Sequence, residues 1–125
     1  MHAAIDISGV GHGSNIYAIN NGTVVETKAG CIVGNLGCNG RRGNYIIINH
    51  NAGNYYSIYM HMASINVKVG QVVSRGQKIG TMGNTGEVYP VPPSYSPYSG
   101  THLHLATYRG HPNYGSPFNP LSLYR

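Results

Sequence analysis

Five residues in three short strings carry the chemistry of this 125-residue chain. His2-Ala3-Ala4-Ile5-Asp6 stands at the start, Tyr59-Met60-His61 at mid-chain, and His102-Leu103-His104 towards the end. Acidic residues number only three (Asp6, Glu26 and Glu87), and Asp6 follows a histidine by four positions. Neutral imidazole together with carboxylate is the donor set of a catalytic zinc ion, which takes three protein ligands and keeps one position for water. Side chains along a strand alternate between faces, so His102 and His104 can point into one site. His2 and Asp6 have the same parity if their segment is extended. One zinc ion needs fewer ligands than these strings offer, and the surplus histidines are available for acid–base work.

Strands are the elements expected to position them. Glycine and asparagine punctuate the chain at short intervals, the spacing of an all-β domain. The pattern predicts strands at Asn15–Ile19, Gly22–Lys28, Gly43–His50, Tyr55–His61, Gln71–Val73, Lys78–Met82 and His102–Tyr108. Turns are expected at Asn20-Asn21-Gly22 and at Asn51-Ala52-Gly53-Asn54, where Asn and Gly tolerate positive φ. The continuous run Tyr45-Ile46-Ile47-Ile48 predicts a strand covered on both faces. No segment holds helical periodicity over ten or more residues, so helix should be nearly absent. The Val67–Gly80 stretch reads as short strands and tight turns. Its like occurs in lipoyl and biotin carriers, but the exposed lysine at a hairpin tip that a carrier needs is missing. Glu87–Thr101 holds Pro90, Pro92, Pro93 and Pro97 among Tyr89, Tyr95 and Tyr98, which excludes a central strand. It is expected to be a stiff loop walling the site just before the His-x-His strand.

A chain of this length suits a single domain, here 1–125. With 41% hydrophobic residues, it is too apolar to be disordered, and no stretch approaches the roughly 20 apolar residues of a membrane span. The first residues already belong to the His-x3-Asp string, so no signal peptide is expected, and Met1 reads as the start of a mature domain or of one cut from a longer protein. Net charge is +5, yet only 9% of residues are charged. The basic residues are scattered, with Arg41-Arg42 the one adjacent pair, and form no stripe suited to nucleic acid. A diffuse positive field fits loose attraction to a polyanionic surface such as bacterial cell wall. Cys31 and Cys38 leave two alternatives open, a local disulfide of a protein working outside the cytoplasm, or two unpaired thiols.

Taken in order, H-x3-D, Y-x-H, G-N-T-G (Gly83 to Gly86) and H-L-H resemble the M23 metallopeptidases, the cell-wall endopeptidases of LytM and lysostaphin type. The connecting pieces Ala18–Val25, Gly43–His50 and Gly70–Gly83 resemble the family's as well, so the likeness covers nearly the whole chain. The resemblance implies a mostly antiparallel sheet of the M23 type, related to barrel-sandwich hybrids. It implies one Zn2+ per chain held by His2, Asp6 and His104, with His61 and His102 as the catalytic pair that does not bind metal. The substrate would be a peptide stem or cross-bridge of peptidoglycan, cut outside the cell or in the wall by a monomeric catalytic domain, on its own or as part of a larger modular protein. The setting could be a secreted autolysin, a bacteriocin-like weapon or a phage tail protein or lysin, with a lean towards phage. No nucleic-acid partner and no membrane insertion are expected.

Two departures from the family accompany the likeness. Only Met1 precedes His2, where relatives have a further loop, and Glu87–Thr101 is longer than the family's usual connection. The bond cut, whether next to glycine, D-alanine or diaminopimelate, is not legible here. His12 reads as a loop residue, His50 as a strand-end residue with local hydrogen bonds, and His111 as part of an inert polar tail. Asn84 and Thr85 are expected to shape the turn beneath the His-x-His strand. The competing function is a catalytically inactive LytM-like module that binds wall or activates another enzyme.

Overall fold

In the computed structural model, residues 12–86, 101–113 and 115–123 are described in full, and residues 4–7 and 124 by their backbone. The isoleucine run lies at its centre. Tyr45, Ile46, Ile47 and Ile48 are all buried. Alternation divides them between two apolar clusters, as a strand covered on both faces requires. Ile46 and Ile48 join Val24, Tyr59, Met62, Ile79, Leu103 and Leu105 in the larger cluster. Tyr45 and Ile47 join Ile58 and Ala106 in the smaller one, against half-buried Val25, Tyr56, Met60 and Tyr108. Burying each isoleucine side chain contributes about 1.5–3 kcal/mol, so this strand anchors the sheet from both sides.

The strands run β1 (Ala4–Ile7), β2 (Asn15–Tyr17), β3 (Gly22–Lys28), β4 (Asn44–His50), β5 (Tyr55–Ile65), β6 (Val72–Val73), β7 (Lys78–Met82), β8 (Leu103–Arg109) and β9 (Ser116–Phe118). Every pairing is antiparallel, and the main path across the sheet is β1-β8-β5-β4-β3-β6. β7 pairs with both β2 and β5, and β9 with β8. Among the described residues the only helical elements are two 3-10 turns, Asn51–Gly53 and Pro120–Tyr124. None is long and apolar enough to cross a membrane. The expected Asn51–Asn54 turn is present, closed by Asn54 at φ 56°, a left-handed conformation that asparagine tolerates better than most side chains.

The fold agrees with the all-β expectation, and β5 extends beyond it. The strand was expected to stop at His61 but continues to Ile65. It does so by changing partners. Its first half pairs with β8 up to Met60 opposite His104, and its second half pairs with β7 from Met62 opposite Met82. His61 stands at the exchange with φ 60°, the conformation that bends the strand from one neighbour to the other. Two further elements have no counterpart in the sequence pattern: β9 is three residues long and contains Pro117, and the C-terminal 3-10 turn is too short for periodicity to register. Cys31 and Cys38 form a disulfide, the oxidised of the two alternatives.

Candidate active site

His61, His102 and His104 converge where β5 changes partners. The His61 ring centroid lies 5.0 Å from that of His102 and 6.0 Å from that of His104. His104 is a strand residue of β8 directly opposite Met60 on one side and directly opposite Asp6 of β1 on the other. His102 precedes β8, its backbone N–H bonded to the Gly83 carbonyl at 3.2 Å. His102 and His104 are half-buried, while His61 is buried. His2 lies outside the described residues, as does the Glu87–Thr101 loop apart from Thr101.

His61 is fixed at two points. Its backbone N–H donates to the Arg42 carbonyl at 2.9 Å, offsetting part of the cost of a left-handed β-strand residue. Its Nδ1 lies 2.7 Å from the Thr85 carbonyl oxygen. A carbonyl only accepts, so Nδ1 carries the hydrogen, and in the neutral ring Nε2 carries the lone pair. Thr85 is itself held, its hydroxyl donating to the Met62 carbonyl at 2.8 Å and accepting from the Asn44 N–H at 3.0 Å.

Asn44 joins this support to the cysteine loop. Its buried amide donates to the Met62 carbonyl at 2.9 Å and accepts the Cys31 N–H at 2.9 Å. Within the loop Asn39 donates to the Gly43 carbonyl at 3.0 Å, and the Gly43 N–H donates to the Cys38 carbonyl at 3.1 Å. Glycine is obligatory at 43: its φ is +67°, and a Cβ there would stand 2.4 Å from the Thr85 carbonyl oxygen, the same atom that orients His61. A chain of buried and part-buried hydrogen bonds thus runs from the disulfide loop to the imidazole.

The sheet face bearing His104 continues away from the histidines as a half-open floor. Ala106 and Tyr108 share its parity on β8, opposite Ile58 and Tyr56 of β5. Arg42 lies at the edge of that floor over the Tyr45 ring, 5.2 Å from its centroid. The Tyr45 hydroxyl bonds to the Glu26 carboxylate. Burial, then the neighbouring Glu26, raises the Tyr45 pKa above the ordinary phenol value of 10.0, against the opposing pull of Arg42.

The sequence profile of peptidase family M23 matches residues 1–120. The chain belongs to peptidase family M23. The M23 chain is 39% identical over 93 residues to the peptidoglycan DD-endopeptidase ShyA of Vibrio cholerae, a match covering 74% of this chain and 19% of that protein. It is 40% identical over 86 residues to lysostaphin of Staphylococcus simulans, covering 69% of this chain and 16% of lysostaphin. The chain therefore spans less than a fifth of the length of these curated relatives. The solved catalytic domain of the antimicrobial peptidase lysostaphin has the same fold, with TM-score 0.73 at 29% identity over 98% of this chain and 78% of that one.

Among the described residues, no three His, Cys, Asp or Glu side chains form a group able to hold a metal ion. Of the three M23 ligands expected from the sequence, only His104 has a described side chain. The donor chemistry nonetheless fits zinc, since His104 sits opposite a carboxylate residue in strand register and beside two further imidazoles. Sequence reasoning missed the supports of His61, namely the Arg42 and Thr85 carbonyls and the Asn44 amide. The available signal was Gly43, which stands before β4 where no hairpin turn requires a glycine. His111, expected to be inert, packs edge-on against Tyr56 with centroids 5.6 Å apart. His12 occupies an exposed turn, as expected.

Proposed function

We propose that this M23 domain is a zinc-dependent endopeptidase that hydrolyses peptide bonds of peptidoglycan stems or cross-bridges, with His2, Asp6 and His104 as metal ligands and His61 and His102 as catalytic residues. The observation that carries the reading is the meeting of three imidazoles at the bend of β5, with Asp6 opposite His104 across β1 and β8. Zinc, when bound, polarises a carbonyl and lowers the pKa of a coordinated water towards about 7.

The chain's own groups supply the rest. His61 presents Nε2 as its basic atom, because Nδ1–H is committed to the Thr85 carbonyl. This tautomer supports His61 as the group that removes a proton from the attacking water and returns it to the leaving amine. His102, 5.0 Å away between ring centres, is suited to hold the oxyanion that develops on the scissile carbonyl. The half-open floor formed by Met60, Tyr56 and Tyr108 gives an extended peptide a surface beside these groups. The disulfide supports action outside the cytoplasm, in the wall or on its surface, and a phage lysin or tail protein is one such setting.

The test combines metal content with turnover. Zinc measured by plasma mass spectrometry should be close to one per chain in the wild type and in His102→Ala, and lost in His104→Ala. Purified cell walls should be solubilised by the wild type alone, with new amino termini in the released fragments. One zinc per chain without cleavage of walls from several bacterial types would point to the inactive LytM-like module instead.

A further inference from the structure

We propose that Arg42 is a carboxylate receptor of the peptide groove, selecting acidic peptide substrates over neutral ones. The inference rests on the endopeptidase reading and names the substrate class of the same site. Arg42 is tied to the site through its backbone, since its carbonyl accepts the His61 N–H at 2.9 Å. Its side chain then runs along the floor. The guanidinium carbon stands 5.2 Å from the Tyr45 ring centroid, and Nη1 donates to the Asn113 side-chain oxygen at 2.9 Å. Asn113 is steadied in turn, its backbone N–H donating to His111 Nδ1 at 3.1 Å, while the His111 ring packs on Tyr56. Tyr45 and Tyr56 both belong to the apolar cluster that extends the histidine-bearing face.

Two features separate this guanidinium from an ordinary surface arginine. First, the residue is half-buried and its guanidinium is held at two points, over the Tyr45 ring and at Asn113, so less rotamer freedom remains to be lost when a ligand binds. Second, both side-chain partners are neutral, an aromatic ring and a carboxamide. The nearby carboxylate of Glu26 is engaged by the Tyr45 hydroxyl. A planar fork of five donors, with one committed to the Asn113 amide and another engaging the Tyr45 hydroxyl, still leaves donors for a carboxylate. An apolar floor strengthens such a pair compared with bulk water. The +5 net charge of the chain favours approach of an anionic peptide in the same sense. The ligand is thus a peptide with a free carboxylate, on a side chain or at its C-terminus, within a few residues of the bond to be cut. A bridge of glycines alone lacks that group.

The test uses matched stem-type peptides in which each free carboxylate is replaced in turn by its primary amide. Cleavage (kcat/KM) and equilibrium binding are both measured with the wild type, Arg42→Gln and Arg42→Lys, with circular dichroism confirming the fold. Amidation of one particular carboxylate should weaken both by about 10–100-fold in the wild type, the range of a charge-assisted hydrogen bond. Which amidation does so distinguishes a side-chain from a C-terminal carboxylate. Arg42→Gln should abolish that preference, bringing the ratio of acid to amide peptide close to one in both cleavage and binding. Arg42→Lys should keep only part of it, because the ammonium lacks the fork. Asn113→Ala, which releases the guanidinium without removing it, should reduce the preference. Equal binding of acid and amide by the wild type overturns the proposal, as does an equal loss on both peptides in Arg42→Gln. Absence of cleavage with the binding preference intact overturns the endopeptidase reading and leaves the receptor standing.

Discussion

His50 and His61 are anchored alike and differ in what surrounds the rest of the ring. Both are buried, and both direct Nδ1 at a backbone carbonyl, Asn21 at 2.8 Å for His50 and Thr85 at 2.7 Å for His61. The Nε2 of His50 is closed off by the Ser57 hydroxyl at 2.7 Å, and its ring stacks on Tyr55 with centroids 4.6 Å apart. His61 has two half-buried imidazoles around it instead. One histidine ties the β2–β3 connection to β5; the other is presented to a groove. Burial alone does not distinguish the two histidines, whereas the neighbours of the rest of the ring do.

The comparison breaks first, if it is wrong, on catalysis. His61→Ala should lower turnover on purified walls by about 10²–10⁴-fold, with zinc content close to wild type and a lower melting temperature, because the buried Thr85 carbonyl loses its donor. His50→Phe should leave activity per folded molecule unchanged. Retention of wild-type turnover in His61→Ala would remove the distinction altogether.

The supports of the two rings come next. Replacing both cysteines by serine opens the loop that leads through Asn44 and Thr85 to His61, and should cost about 2–3 kcal/mol for a short loop, read as a lower urea midpoint. If the hydrogen-bond chain matters to the site, kcat should also fall more than KM rises. His50→Phe should cost about 2 kcal/mol, because the Asn21 carbonyl and the Ser57 hydroxyl each lose a partner, with kcat untouched. A change in kcat as large as that of the cysteine variant would make the two histidines equivalent after all.

The smallest effect sharpens the comparison by titration. Burial lowers the His50 pKa below its ordinary value of 6.5, opposed by the hydrogen bond to Asn21. The folded state therefore resists protonation that the unfolded chain accepts. Stability from this group is complete above pH 6.5 and declines as pH falls below it, towards the lowered folded pKa. Unfolding free energies of wild type and His50→Phe, measured by urea between pH 7.5 and 5, should converge as the solution becomes acidic. A gap that stays constant would show that His50 does not resist its proton.

Much of this organisation was legible in the residues. Period-two alternation in His102-Leu103-His104-Leu105-Ala106 separates an imidazole face from a leucine face, and the structure keeps that division. The isoleucine run and the Asn-Gly turns were equally plain, because each is a local preference that the tertiary fold reinforces. The bend at His61 was not, since nothing in Tyr-Met-His-Met-Ala announces a left-handed residue; it follows from β7 and β8 competing for one strand. Nor could Arg42 be paired with Asn113, 71 positions away, without the sheet that carries the C-terminal turn back to the groove. Of the five expected site residues, sequence order alone suggested a common centre. The register adds Asp6 beside His104, and His2 lies outside the described residues.

The exchange of partners within β5 also limits how the gene can change. Adding or deleting one codon between Tyr55 and Met60 would transpose every later side chain of the strand to the opposite face, sending Met62 outward and dislodging His61 from Thr85. Length variation among descendants of this sequence should therefore gather in the connections between strands, while the eleven-residue span of β5 stays constant.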